Sequence, residues 1–420
     1  MPSVQEAIES IDRGEIEKGL GLLKNVRENA DHDTLLEIAQ LYSELGFMEE
    51  AIDVTEELIA FYPDLDELKL FAAELYMEIE REEEALQQLS TITPDHDGYL
   101  EALVLSADLY ERQGLTEVAE QKLLTAKRIA PNEPVITFGL GEFYLHQGNF
   151  NRSRIYYEEL LKSGHEHFNQ TPVLLRMAES LTGSGQFEEA LKYYEKGLQD
   201  ESNPDDWFGY ALTASRIGEY QKTIQALNHL KELDPQYTTL YPALAQAYEE
   251  EGALKEAMDV SLEGIRWDEF NEELYLQAGK LAFRLNDQEN GIELLKNTLS
   301  LNPSNMKATS VLMEQYLQDE MFEALIDLAV EIERYGDLSP DANWKTAVAY
   351  RELEDDENAL EKYEEAYTEL KEQPEFLEDY GWYSLEIGQR DKAKILFTKA
   401  MEIDPDRFHL EEEINRLKDL

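Results

Sequence analysis

From Gly148 to Leu161 the chain reads G-N-F-N-R-S-R-I-Y-Y-E-E-L-L, and from Gly185 to Leu198 it reads G-Q-F-E-E-A-L-K-Y-Y-E-K-G-L. In both stretches a glycine is followed two residues on by Phe (Phe150, Phe187) and five on by a small residue (Ser153, Ala190). Nine on stands Tyr (Tyr157, Tyr194), in a background of charge. Such spacing predicts one charged, amphipathic helix behind each glycine. Aligned on the turn, the pattern returns at Gly14, Gly46, Gly114, Gly148, Gly185, Gly218, Gly252 and Gly388, with Glu80, Asn286 and Glu354 standing in for glycine elsewhere. The small residue five positions on is Ala51, Ala85, Ala119, Ser153, Ala190, Ala257, Ala359 or Ala393, with Gly19, Thr223 and Gly291 as variants. Upstream of the turns lies a second pattern, a small residue followed three later by a ring, as in Ala39/Tyr42, Ala73/Tyr76, Ala107/Tyr110, Gly141/Tyr144 and Ala347/Tyr350. Proline closes several units, at Pro63, Pro131, Pro235, Pro303 and Pro405.

A step of about 34 residues is the mark of a repeat array, in which each unit is one helical hairpin unable to bury its apolar face alone. Glycine ends the first helix in a tight turn, the small residues let the two helices approach, and proline stops the second helix or starts its successor. The registers Trp207, Tyr210, Ala211, Gly218, Tyr220, Leu227, Pro235 and Leu377, Tyr380, Gly381, Gly388, Ala393, Phe397, Ala400, Pro405 resemble the tetratricopeptide repeat (TPR) consensus. The resemblance covers essentially the whole chain. It implies an all-α, right-handed superhelical TPR solenoid of about twelve helix-turn-helix repeats plus a C-terminal capping helix. The expected organisation is a degenerate capping repeat over residues 1–31, repeats with an acidic groove over 32–203, repeats with a mixed-charge groove over 204–405, and the capping helix over 406–420. Two places depart from the period. Thirty-seven residues separate Gly148 from Gly185, so the loop Ser163–Thr171 carries three extra residues, and Asp319-Glu320-Met321-Phe322-Glu323-Ala324 can be registered in two ways.

Charge narrows the partners. Against 37 basic residues stand 91 acidic ones, a net charge of −54. The excess is spread evenly rather than gathered in a tail: residues 1–210 hold 16 basic and 44 acidic (−28), the rest 21 and 47 (−26). Nucleic acid and anionic membrane surfaces are disfavoured, because both are bound through lysine and arginine. With 42% hydrophobic residues the chain is too apolar to stay disordered. It lacks cysteine, a signal-like N-terminus and any uncharged apolar run long enough to span a bilayer, so a cytoplasmic protein without direct membrane insertion is expected.

What the resemblance implies for function is a groove lined by the first helices of the repeats, chiefly at consensus positions 2, 5, 9, 12 and 13. Position 5 reads Leu36, Leu70, Val104, Phe138, Leu175, Phe208, an apolar stripe; position 9 reads Gln40, Glu74, Asp108, Glu142, Glu179, four carboxylates in succession. Further along, Lys280, Arg284, Trp344, Lys345, Arg351 and Trp382 sit at or beside groove positions and form a second, weaker candidate; both Trp residues also suit packing between repeats. A ladder of acids beside an apolar stripe suits a basic, apolar-anchored protein segment, although acids this frequent also suit a solvated surface, and position 5 also suits packing between neighbouring helices. The lysines and asparagines by which chaperone-binding relatives hold acidic C-termini are missing at positions 5 and 9. The chain is thus expected to be a non-catalytic interaction scaffold, with an adaptor bridging two proteins in assembly or proteolysis, or a peptide-sensing regulator, as the other readings.

Motifs that suggest chemistry fall short. His165-Glu166-His167 lacks the one-turn spacing of a metalloprotease helix and suits a mobile, polar loop. Asp31-His32-Asp33 and Asp95-His96-Asp97-Gly98 lack the full ligand set of a calcium loop and sit where acids cap the next helix. Gly139-Leu140-Gly141 and Gly183-Ser184-Gly185 follow no strand, so neither suits a nucleotide or nucleophile turn. No cofactor, metal or catalytic residue is expected.

Overall fold

The computed structural model describes residues 3–168, 171–199 and 202–417. Its helices form two compact units, Met1–Glu201 and Ser202–Leu420. In the first, α1 (Val4–Asp12) pairs with α2 (Ile16–Arg27), α3 (His32–Glu44) with α4 (Met48–Phe61), and α5 (Asp66–Glu78) with α6 (Glu82–Ser90). The pairs α7 (Tyr99–Arg112) with α8 (Thr116–Ile129), α9 (Pro134–His146) with α10 (Phe150–Lys162), and α11 (Val173–Gly183) with α12 (Phe187–Gly197) complete it. Between α10 and α11 the insertion folds into a ribbon, β1 (His167–Phe168) antiparallel to β2 (Thr171–Pro172).

The second unit repeats the plan. Here α13 (Pro204–Arg216) pairs with α14 (Tyr220–Leu233), α15 (Leu240–Glu250) with α16 (Leu254–Trp267), and α17 (Glu272–Arg284) with α18 (Gln288–Leu301). Then follow α19 (Met306–Gln318) with α20 (Phe322–Glu333), α21 (Pro340–Glu352) with α22 (Asp356–Leu370), α23 (Pro374–Glu386) with α24 (Arg390–Ile403), and a last helix, α25 (His409–Arg416). The described residues thus hold twelve helical hairpins and one closing helix, an all-α repeat array.

Local backbone chemistry accounts for the hairpins. At every aligned turn the chain enters the left-handed region, with φ between 67° and 81° at the eight turn glycines and 59°, 61° and 59° at Glu80, Asn286 and Glu354. The ambiguous tenth turn is settled the same way: Glu320 has φ 55°, so it stands where glycine does elsewhere. In this geometry the next backbone N–H reaches back to the last turn of the first helix and satisfies a carbonyl that would otherwise be orphaned. Asn149 N donates to Tyr144 O (2.8 Å) and Met321 N to Tyr316 O (2.8 Å). First helices start on proline at Pro134, Pro204, Pro340 and Pro374, where the missing N–H costs nothing. Others start on side-chain caps, Asp31 accepting from Thr34 N (2.9 Å) and Asn305 from Ala308 N (3.0 Å).

The small residues sit at the crossing of the two helices. Ala51, Ala85, Ala119, Ala190, Ala257, Ala359 and Ala393 are wholly buried, as are Ser153 and Thr223. The upstream small position is equally constrained. A Cβ on Gly141 would fall 2.6 Å from the Tyr157 ring, and one on Gly381 would fall 2.4 Å from the Phe397 ring. The glycine is what lets the aromatic ring of the second helix lie against the first.

A non-glycine residue in the left-handed region carries a backbone cost of about 1 kcal/mol or more. Glu320→Gly is therefore expected to raise the urea-unfolding midpoint and Gly218→Ala to lower it, each by the equivalent of about 1 kcal/mol. An unchanged midpoint in Glu320→Gly would show that the tenth turn stores no such strain.

Candidate functional site

On the first helix of a hairpin, residues four apart share one face. Positions 5 and 9 are accordingly neighbours on α3, α5, α7, α9 and α11, but their depth differs. Leu70 and Leu175 are only 6% and 2% exposed. They pack beside Gly98 and Gly197, where an added Cβ would stand 3.1 Å from Leu70 and 2.8 Å from Leu175. These two therefore serve the interior rather than a contact surface. Leu36, Val104 and Phe138 are half-buried. Phe138 is also covered by the chain itself. The Phe168 ring of the inserted ribbon stacks on it (centroids 4.6 Å apart, planes at 16°), and Tyr157 meets it edge-on at 6.2 Å.

The acids of position 9 are not equivalent either. Asp108 pairs with Arg112 one turn on (3.0 Å). Glu142 accepts from the Tyr157 hydroxyl and lies 3.3 Å from Arg176 Nε; Glu179 lies 3.0 Å from Arg176 Nη1. Burial tends to lower the pKa of Arg176, but the two carboxylates outweigh it and hold the guanidinium charged. Burial, then Glu142, push the Tyr157 hydroxyl well above the usual phenol range, so it stays a donor. The second half of the ladder is thus partly offset from within, one guanidinium between two carboxylates.

Glu74 differs. It reaches solvent and makes no ion pair among the described residues, but its carboxylate is partly shielded by the walls of a cleft; that desolvation first, then the Glu101 carboxylate, raise its pKa above the ordinary 4.5. It lies in a cleft of about 490 Å³ formed by three successive first helices, α3, α5 and α7. Ser43, Phe71, Leu75 and Met77 supply the less charged lining, Glu74, Glu78 and Glu80 the acids, and Arg112 the one cation, already engaged by Asp108. A carboxylate held at a raised pKa beside apolar surface is a place where an added positive charge is stabilised.

In the second unit the candidate residues are mostly committed internally. Phe208 is half-buried with its ring 5.2 Å from Tyr237. Arg284 pairs with Glu249, and Lys345 with Asp341 (2.7 Å). Asp379 on α23 gathers three donors from two helices: Trp344 Nε1 (2.6 Å) and Arg351 Nη1 (2.8 Å) from α21, and the Tyr363 hydroxyl (2.7 Å) from α22. Trp344 and Arg351 therefore tie neighbouring hairpins together. Trp382 keeps 37% exposure but lies over Phe397 (4.9 Å) and donates to Glu378 (3.4 Å). Lys280 is half-buried and makes no ion pair among the described residues.

The motifs set aside in the sequence have structural posts. Asp31 caps α3. His96 Nδ1 lies 2.6 Å from the Asp66 carboxylate, which also accepts from Gly98 N (3.1 Å), so this segment clips one hairpin to the next. His165 lies against Ser163 (3.1 Å) in the insertion. Among the described residues no group of three or more acids and histidines is placed to hold a metal, and no helix is long and apolar enough to cross a membrane. Phe168 and Arg176, which shape this face most, escaped the sequence reading: one lies in the insertion, outside the repeat, and the other at a position that is not a groove position in the consensus.

Comparisons with known proteins agree with this architecture. Models of YpiA-like tetratricopeptide repeats match residues 112–165, and of YpiA-like C-terminal tetratricopeptide repeats residues 340–407. A general tetratricopeptide repeat model matches residues 171–199, and the ARM repeat of tetratricopeptide repeat protein 21 matches residues 3–117. The TPR repeat-containing protein YpiA of Bacillus subtilis (strain 168) is 42% identical over 416 residues, 99% of this chain and 98% of that protein. Among solved structures, YrrB, a TPR protein with an unusual peptide-binding site, is 16% identical and covers 44% of this chain and 95% of its own (TM-score 0.40). The APC/C hetero-tetramer Cut9-Hcn1 is 12% identical over 98% of this chain and 95% of its own (TM-score 0.38).

Removing the acceptor at Asp379 leaves Arg351 only its pair with Glu352 (3.0 Å) and takes the carboxylate from two further donors, Trp344 and Tyr363. Asp379→Ala is expected to destabilise the chain by about 2–3 kcal/mol in urea unfolding. A loss no larger than that of an average surface substitution would show that the three donors find water instead.

Proposed function

Because the chain belongs to the family of YpiA-like tetratricopeptide repeat proteins, we propose that it is a non-catalytic scaffold that binds a basic, apolar-anchored segment of a partner protein on the first-helix face of its N-terminal unit. The observation that carries the reading is Glu74: an unpaired carboxylate whose pKa is raised, in a cleft with Phe71 and Met77. Val104 and the Phe138–Phe168 stack extend the apolar contact; Glu74, Glu78 and Glu80 receive lysine or arginine. Asp108, Glu142 and Glu179 share two cations, Arg112 and Arg176, and contribute less. A helical scaffold already in place loses little ordering entropy on binding, so modest contacts suffice. The excess acid draws a cationic segment in, with an on-rate that falls as salt rises. The cytoplasm is the compartment that goes with this reading, and nucleic acid is not a partner in it.

The pH dependence has a definite sign. Glu74 has a raised pKa in the free protein, and a bound cation lowers it, so binding releases a proton and strengthens as pH rises through and above 4.5. With a fluorescent lysine–leucine peptide as probe, anisotropy should show affinity rising from pH 4.5 to 7. Glu74→Gln should weaken binding about fivefold at neutral pH and flatten the profile, whereas Glu179→Gln should change little. Equal affinity, salt slope and pH profile in Glu74→Gln and the native chain would sink the assignment.

A further inference from the structure

The tenth hairpin breaks the rule that holds the others together. Five residues past the turn, eleven hairpins carry Gly, Ala, Ser or Thr; here, counting from Glu320, the residue is Leu325, wholly buried. A branched four-carbon side chain at a crossing built for a methyl keeps the backbones apart, since packed interiors do not compress to admit it. Correspondingly, α19 and α20 are the least closely packed of the twelve hairpins. Ala324, the small residue next to it, is turned instead into a cavity of about 470 Å³ between α18, α19 and α20.

The cavity is amphiphilic. Leu299, Leu328, Ile332 and Pro303 give it an apolar wall, and Tyr316 lines it while being only 1% exposed. In two other hairpins the equivalent tyrosine is hydrogen-bonded to the residue 20 earlier on the preceding second helix, Tyr76 to Glu56 and Tyr248 to Asn228, and in a third Tyr144 is bonded to Glu120, 24 earlier. At Tyr316 the place of Glu56 and Asn228 is taken by Lys296, and the Tyr316 hydroxyl has no hydrogen-bond partner among the described residues. A smaller cavity of about 240 Å³ adjoins, sharing Pro303, Ile332 and Tyr335 and adding Met306 and Leu338. Tyr335 and Met306 stand at its edge with 63% and 72% exposure and offer apolar surface at the mouth. Around the two cavities are Asp327, Glu331 and Asp337 against Lys296, none in an ion pair among the described residues.

We propose that the two cavities form a second docking site, for a basic amphipathic segment of a partner protein anchored by a tryptophan or tyrosine. The anchor fills the larger cavity and brings its N–H or O–H to the Tyr316 hydroxyl. A buried aromatic with one polar atom is the residue class that pays least for such a seat. An aliphatic residue of the same segment enters the smaller cavity across the Tyr335 ring, and its lysines or arginines meet Asp327, Glu331 and Asp337. The size lies within the roughly 300–1,000 Å³ of ordinary ligand pockets. A second copy of this chain is the wrong occupant, because it would bring another 54 net negative charges to an acidic rim. The site is independent of the cleft at Glu74; with both occupied, one chain bridges two segments.

The test is a titration of the full chain, labelled with ¹³C-methyl methionine, with the peptide Ac-Lys-Trp-Lys-Ala-Leu-Lys-NH₂. Met306 reports the proposed site and Met77 the cleft at Glu74. The expected result is a saturable shift of the Met306 methyl. Binding should weaken about five- to tenfold in the isosteric Tyr316→Phe chain, and further in Ala324→Leu, which fills the cavity; exchanging Trp for Ala or the lysines for Glu in the peptide should abolish it. Should Ala324→Leu fail to fold, Tyr316→Phe alone decides. A Met306 signal that stays still, a shift confined to Met77, or equal affinity in Tyr316→Phe overturns the proposal.

Discussion

Two helices joined by a three-residue turn can share an apolar seam only if their backbones close at the crossing, and closure needs a small side chain there. In this protein that one steric requirement is met by Gly, Ala, Ser or Thr in eleven of twelve hairpins, always five residues past a left-handed turn. The two features are coupled, because the turn sets the phase of the second helix and so decides which residue meets the crossing. Aromatic residues then occupy what the small ones leave open, as Tyr157 does over Gly141 and Phe397 over Gly381. The unit with Leu325 at the crossing has its two helices least closely packed and a cavity at its side.

Electrostatics is arranged around scarcity. With 37 basic residues against 91 acids, several cations join second helices of successive hairpins. Arg27 on α2 reaches Glu57 on α4, Lys127 on α8 reaches Glu159 on α10, and Lys231 on α14 reaches Glu263 on α16. Pairs this exposed stabilise little individually. Their larger consequence is spatial: they fix where acid is left unbalanced. Arg176 offsets part of the charge of Glu142 and Glu179, while no cation pairs with Glu74 among the described residues, so the anionic character of the face is strongest at the cleft between α3, α5 and α7.

The two proposed sites thus arise by different physical routes on different units. One is a surplus of charge over apolar side chains on an intact repeat face; the other is a packing fault that leaves a tyrosine hydroxyl unpartnered. A scaffold of repeats tolerates both, since each hairpin is stabilised by its neighbours and local deviations do not propagate through a single core.

The amino-acid sequence by itself determined the hairpins and their turns. Left-handed φ and close helix crossings are local demands that only a few residue types meet, so Gly, Ala and the following rings mark them at a near-constant step. Where a turn uses Glu, as at Glu320, the mark fades, and only the backbone told Glu320 from its neighbours. Depth and pairing were decided by tertiary structure. Leu70 and Val104 occupy the same repeat position, yet one is buried beside Gly98 and the other half-open, because the neighbouring loop differs. Phe168 reaches Phe138 from an insertion outside the period, Asp379 collects donors from two other helices, and Arg176 stands between two acids that look alike in sequence. A repeat pattern records which face a residue lies on; what lies across from it depends on contacts about 30 residues away, and those appear only when the hairpins are stacked.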